Sequence, residues 1–320
     1  MNNPANQQTY QPVTHQHRPI MTPHWIQDTQ ALLDSSAPQG HATRRLALQS
    51  ALGVGYAAAA LPLMAQTAIN TSRAGLVEGE VTIDVQGFKM PAYRSAPAGK
   101  TQLPVVLVIS EIFGVHEYIA DVTRRFAHQG YLAIAPELFV RQGDPSAYGE
   151  IAKLQAEVIS KVPDAQVMGD LDATLQWAAH NGGNVDRAAI TGFCWGGRIT
   201  WLYCMHNPRI KAGVAWYGRL EGQSTASTPR HPIELVSQLK APVLGLYGEA
   251  DTGIPVASVE RMKLALAQAS AQGNAAAKAS QFVLYPEAPH AFHADYRPTY
   301  REKPAADGWS RALEWLKRNA

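Results

Sequence analysis

At 320 residues, with 28 Lys and Arg set against 26 Asp and Glu, the chain has room for one large domain with a substantial core. The basic residues are dispersed, their dense spots being pairs such as Arg44-Arg45 and Arg124-Arg125, so no nucleic-acid footprint is present. Two cysteines, Cys194 and Cys204, exclude a disulfide framework and a zinc site built mostly of thiolates.

Residues 1–42 are rich in Gln, Asn, Pro, Thr and His and show no apolar period; they read as a disordered polar leader. His15, His17 and His24 lie there without a cysteine or paired carboxylates beside them, which favours a polar tail over a metal site. Residues 43–68, "TRRLALQSALGVGYAAAALPLMAQTA", pass from twin arginines through a weakly apolar run to Ala65 and Ala68. That is the order of a secretory signal, and it resembles a twin-arginine export signal, although Ala47 and Gln49 stand where that pattern prefers Phe and Lys. The alternative is an amphipathic helix ahead of the domain, but residues 51–65 are apolar nearly all round and lack a polar face. Gln49, Ser50 and several glycines argue against a permanent membrane span. The expectation is export, with the export machinery as a partner, cleavage around residues 65–68, and a periplasmic or secreted product. A leader that does not act would leave the protein cytoplasmic.

Residues 69–320 carry the domain. "VTIDV" and "MPAYR" predict an opening hairpin, and "LPVVLVIS", residues 103–110, is the continuous apolar run of a strand buried on both faces. "EYIADVTRRFAHQG" repeats apolar residues at helical spacing and stops at Gly130, a C-terminal cap; "YLAIAP" is the next strand, ended by Pro136. A helix over 164–180 follows, then strand "RAAITGF", helix "WGGRITWLYCMH", strands "IKAGVAWYG" and "APVLGLYG", helix "VASVERMKLALAQAS", strand "QFVLYP" and closing helix "GWSRALEWLKRN". This alternation predicts a single α/β domain with a doubly wound, mostly parallel sheet and helices on both faces. Ligands bind such sheets beyond the carboxyl ends of the strands. The glycines spell neither GxGxxG nor GxxxxGK[ST], so no nucleotide motif is present.

"GFCWG", residues 192–196, sits between a predicted strand and a predicted helix, the context of a nucleophile elbow. A sharp strand-to-helix turn needs small residues two positions either side of its centre, and Gly192 and Gly196 supply them. The following helix directs its positive end at the Cys194 sulfur. The alternative is a tight turn with an incidental thiol. Cys204 lies ten residues on, about 15 Å along a helix and out of reach of a disulfide, whose Cα atoms stay within about 7 Å.

Two further residues fall beyond strand ends: Asp251 in "YGEAD" and His290 in "YPEAPHAFH". Nucleophile, acid, histidine is the chain order of α/β-hydrolases. Asp251 is also a candidate N-cap for the helix starting near Pro255, and His290 a candidate loop residue. His293 is the rival base; His290 is preferred because it directly follows the strand-exit turn "PEAP".

With "SEIFGV" at 110–115, "GFCWGG" at 192–197, "GEAD" at 248–251 and "HAF" at 290–292, the chain over about 78–320 resembles the dienelactone hydrolase family, the cysteine branch of the α/β-hydrolases. The resemblance implies an α/β-hydrolase fold and hydrolysis of a small-molecule ester or lactone. It implies Cys194 as nucleophile, His290 as base, Asp251 as its orienting acid, and Glu111 as the carboxylate meeting the cysteine in the resting site. It further implies an oxyanion hole of the Ile112 and Trp195 backbone N–H groups, and no metal or organic cofactor. The family enzyme that binds a carboxylate substrate does so with arginines, one of them four residues past the histidine, where this chain has Ala294. Arg141, Arg219 and Arg297 are candidate replacements or ordinary surface arginines. Phe113, Tyr118, Trp195, Trp216 and Tyr217 are candidates for an apolar pocket or for the core. A noncatalytic binding protein on a hydrolase scaffold is the alternative function, opposed by the retention of all four site residues. A thiol redox protein is disfavoured, because no CxxC or resolving cysteine is within reach.

Overall fold

The computed structural model describes residues 69–320; the leader and export segment expected over 1–68 lie outside the described residues. Eight strands form one sheet in the order β1-β2-β4-β3-β5-β6-β7-β8. They are β1 (Leu76–Val85), β2 (Phe88–Pro97), β3 (Leu103–Ile109), β4 (Leu132–Pro136), β5 (Gly183–Phe193), β6 (Ile210–Trp216), β7 (Val243–Gly248) and β8 (Gln281–Tyr285). β1, β2 and β4 pair antiparallel, and every pairing from β4 through β3 to β8 is parallel. The opening hairpin turns on Gln86 and Gly87, both at positive φ, 53° and 93°, the backbone that a two-residue hairpin requires.

Burial explains the strand composition. Six of the seven β3 residues and all of β4, β6 beyond Lys211, and β7 are buried, so these strands read as continuous apolar runs rather than alternating ones. The helices are α1 (Glu117–His128), α2 (Ile151–Glu157), α3 (Asp164–His180), α4 (Trp195–His206), α5 (Val256–Ala271), α6 (Ala275–Ala279) and α7 (Glu302–Asn319). α4 has no polar face because every residue from Gly196 to Met205 is buried against β5 and β6.

Three details differ from the sequence expectation. β5 begins at Gly183 rather than Arg187, because Gly183 and Asn184 pair with Leu103 and Pro104 ahead of a register shift. α7 begins at Glu302, with Pro304 in its first turn, where a missing N–H costs nothing. The short helices α2 and α6 escaped detection, since two turns or fewer give no period to read.

The sheet order fixes where a site can form. After β3 the chain steps to β4 on one side and then crosses to β5 on the other. The crevice beyond the carboxyl ends of β3 and β5 is therefore the switch point of the sheet. Glu111 follows β3 and Cys194 follows β5 directly.

Candidate active site

Cys194 joins β5 to α4 at φ 55° and ψ −114°, a conformation that ordinary side chains rarely adopt. Its N–H donates to the Trp216 carbonyl at 3.0 Å, and its own carbonyl accepts from Gly197 at 3.0 Å. The small flanking residues are a steric necessity. A Cβ on Gly192 would lie 2.2 Å from the Gly196 oxygen, and one on Gly196 would lie 2.4 Å from the Ile109 oxygen and 2.6 Å from that of Ser110. The start of α4 is thus in contact with the end of β3. Trp195 is the first residue of α4, so its N–H has no partner within the helix.

Asp251 and His290 meet because the loops leaving β7 and β8 are joined. Glu249 N–H donates to the Tyr285 carbonyl at 3.0 Å and Ala250 N–H to that of Ala288 at 3.1 Å. A Cβ on Gly248 would come within 2.0 Å of the Ala288 oxygen. His290 Nδ1 then donates to Asp251 Oδ2 at 2.7 Å, while Oδ1 accepts from Gly253 and Ile254 N–H at 3.0 and 3.1 Å. Asp251 therefore caps the turn over 252–254 with one oxygen and orients the imidazole with the other; α5 itself starts from Pro255 without a side-chain cap. Burial disfavours the imidazolium of His290, but the Asp251 carboxylate and the Cys194 sulfur outweigh it and hold its pKa well above the ordinary value.

His293 has a different environment. It is buried, shares a 2.5 Å hydrogen bond with the Tyr118 hydroxyl, and packs on Phe193 and Trp216. Burial, with Arg125 acting in the same direction, pushes its pKa well below the ordinary value, so it is a neutral core residue. Of the two histidines, only His290 has a carboxylate partner among these contacts.

Glu111 is 1% exposed. The Tyr296 hydroxyl donates to its Oε2 at 2.5 Å, and His116 Nε2 stands 3.8 Å from the same oxygen. Burial alone would raise this carboxyl, yet Arg297, His116 and Tyr296 bring it down to about 2. Its hydrogen-bond and ion-pair partners among the described residues are thus Tyr296 and His116, and the expected meeting with Cys194 is not among them. Sequence reasoning missed both partners: Tyr296 comes from 185 positions away, and His116, five residues on in the same loop, carries no motif that singles it out.

The pocket candidates divide. Arg297 lies over Phe113, 4.8 Å from the ring centroid, and over Tyr296 at 5.2 Å, with its Nε buried and without a hydrogen-bond partner among the described residues. Tyr217 is fully buried at φ 38°, edge-on to His290 at 5.1 Å, and its hydroxyl is likewise unpartnered. Burial raises the Tyr217 hydroxyl well above its ordinary pKa, and nearby Tyr118, Glu111 and Cys194 add to the shift. Tyr118 is committed to His293, and Trp216 is core, bonded through Nε1 to Thr191 at 3.2 Å. Arg141 is held by Asp170 at 2.5 Å and stacks on Phe88 at 4.1 Å; none of these contacts is with the Cys194 cluster. Arg219 lies beyond β6, beside Gly222. Cys204 is fully buried, and burial pushes its thiol up.

The sequence from 90 to 320 matches the model of the dienelactone hydrolase family. A Methylorubrum extorquens protein named "Putative carboxymethylenebutenolidase" is 54% identical over 286 residues, covering 89% of this chain and 96% of its own. An Escherichia coli protein of the same name is 51% identical over 264 residues, covering 82% and 94%. Among solved structures, one titled as a putative dienelactone hydrolase from Klebsiella pneumoniae superposes with a TM-score of 0.73 at 53% identity, covering 76% of this chain and 98% of that one.

Proposed function

The chain belongs to the dienelactone hydrolase family, hydrolases of esters and lactones, and from that premise we propose that it acts through Cys194, His290 and Asp251. The Cys194 thiolate adds to the substrate carbonyl, and the Ile112 and Trp195 N–H groups stabilise the oxyanion. The intermediate collapses to a thioester, with His290 giving a proton to the departing alkoxide. Water then attacks the thioester as His290 takes its proton, and the acid leaves as the thiolate is restored. Asp251 keeps the Nδ1 proton in place so that Nε2 faces the reaction. Thiolate, imidazole and two amides suffice for this sequence of steps, which calls on no metal or organic cofactor.

The observation that supports this reading most is the strained elbow at Cys194, φ 55°, on the same crevice as an imidazole bonded to a buried aspartate at 2.7 Å. Arg297 fits a role as anchor for an anionic group on the substrate, since its guanidinium flanks Phe113 and its Nε lacks a partner among the described residues. The Tyr217 ring stands edge-on to His290, and its buried hydroxyl has no hydrogen-bond partner among the described residues. Tyr118, with its hydroxyl engaged by His293, fits the wall of the site, whereas Arg141 is engaged by Asp170 and Phe88, and those contacts give it no part there. The leader over 43–68 supports export to the periplasm or medium through the twin-arginine route, which N-terminal sequencing of the mature protein tests.

The test of the catalytic reading is turnover of a panel of lactones and activated esters by wild type and Cys194→Ala, with mass spectrometry for the acyl-enzyme. Wild type is expected to turn over and accumulate a thioester adduct on Cys194. An active Cys194→Ala variant sinks the mechanism, and binding without turnover across the panel favours a noncatalytic site.

A further inference from the structure

Glu137 directly follows β4 and is 5% exposed, yet no cation is among the groups acting on it. Its Oε1 accepts the Val115 N–H at 2.9 Å. Its Oε2 packs against Gly114, where a Cβ would come within 2.9 Å. Gly114 stands at φ 73°, and Pro145 lies 3.6 Å from the same built Cβ. A buried carboxyl is a costly means of satisfying one amide, so its placement calls for an explanation in terms of what that amide belongs to. Residues 110–116 link β3 to α1 and carry Glu111, Ile112, Phe113 and His116. Within the loop, His116 N–H bonds to the Gly114 carbonyl at 3.1 Å. From outside, Glu137 fastens it at Val115, three residues from the Ile112 amide.

Resting on the hydrolase reading above, we propose that Glu137 is a positioning residue: it ties the 111–116 loop to the exit of β4 and so sets the Ile112 N–H and Glu111 against Cys194. Burial, opposed by the Val115 N–H and reinforced by Asp144 after β4 and Glu80 on β1, raises the Glu137 carboxyl to about 7. The tie therefore changes charge near neutrality while keeping an oxygen that accepts from Val115 in either form. Val115, Gly114 and Pro145, which pack against it, bear no charge. Glutamine preserves the acceptor and removes the titration; alanine removes both and leaves the Val115 N–H without its acceptor.

The experiment measures kcat, KM and thermal midpoint with p-nitrophenyl acetate for wild type, Glu137→Gln, Glu137→Ala and Cys194→Ala between pH 5 and 9. Glu137→Ala is expected to lose at least tenfold in kcat with KM within threefold, a fraction of the roughly 10²–10³ lost with an oxyanion donor. Glu137→Gln, which keeps the acceptor for Val115, is expected to stay within threefold of wild-type kcat across this range. Wild-type kcat in Glu137→Ala overturns the proposal. So does a Glu137→Gln variant that loses tenfold or more in kcat, an outcome that decides the matter even if alanine does not fold. An active Cys194→Ala would overturn the underlying mechanism instead; an inactive one beside an unaffected Glu137→Ala overturns the role of Glu137 alone.

Discussion

Substituting Gly196 by alanine probes the contact between the elbow and β3. The new Cβ would lie 2.4 Å from the Ile109 oxygen and 2.6 Å from the Ser110 oxygen, where ordinary contact begins at 3.4 Å. Both obstacles are backbone in a buried strand end, so neither can rotate away, and α4 must retreat from β3 by about 1 Å, the difference between 3.4 and 2.4 Å. Overpacking of this kind costs about 1–3 kcal/mol. On the proposed mechanism the catalytic cost is larger, because the retreat carries the Trp195 amide away from the loop that holds Ile112, and a 1 Å misplacement lowers rates roughly 10²-fold. The assay is kcat on an activated ester together with the thermal midpoint, with Gly169→Ala as control. Gly169 is an exposed position in α3 with nothing within 4 Å of a built Cβ. Alanine there should leave kcat unchanged and add up to about 1 kcal/mol of stability. A Gly196→Ala enzyme with wild-type kcat and midpoint would refute the steric account of the elbow.

Asp251→Asn retains an oxygen for the Gly253 and Ile254 amides but no longer fixes the Nδ1 proton of His290, so kcat should fall on the order of 10⁴-fold. Because the native pKa of His290 is raised, its contribution to stability is complete below about 6.5 and is lost as pH rises through the native value. The stability gap between Asp251→Asn and wild type, measured by denaturant midpoints, should be widest near pH 6 and narrow on the alkaline side; a gap that widens with pH contradicts the pairing. Cys194 is half-buried and Cys204 fully buried. Native protein should therefore take up a single carbamidomethyl group from iodoacetamide, on Cys194, with the second appearing only in denaturant. Equal labelling of the two thiols would be inconsistent with the burial of Cys204.

The order of strands and helices was legible because β3, β4, β6 and β7 are buried nearly throughout, and apolar runs are the signature of that burial. The elbow was legible because its steric demand falls on two fixed positions, Gly192 and Gly196. The surroundings of Glu111 were not. Tyr296 and Arg297 reach it from the loop after β8, some 185 positions away, and convergence over such a separation leaves no local period. Asp251 illustrates a subtler limit. The helix cap offered as its rival explanation is absent, α5 starting without a side-chain cap; one carboxylate oxygen instead holds the turn amides of Gly253 and Ile254 while the other holds His290. Glu137 carries no motif that singles it out in the sequence; its burial and the 2.9 Å bond to Val115 mark it out in the fold.

Cys194, Tyr217 and Ala291, the residue after His290, all hold positive φ, at 55°, 38° and 60°. Glycine would adopt each backbone more readily, and conformations of this kind cost of order 1–3 kcal/mol apiece. Glycine at Tyr217, a fully buried ring, would leave a cavity that costs more than the strain it relieves; at Cys194, where little buried volume is lost, the same change would relieve the strain while erasing the thiol. Thermal stability and turnover are thus opposed at this crevice, and a screen for heat resistance alone should enrich for inactive variants at Cys194 first.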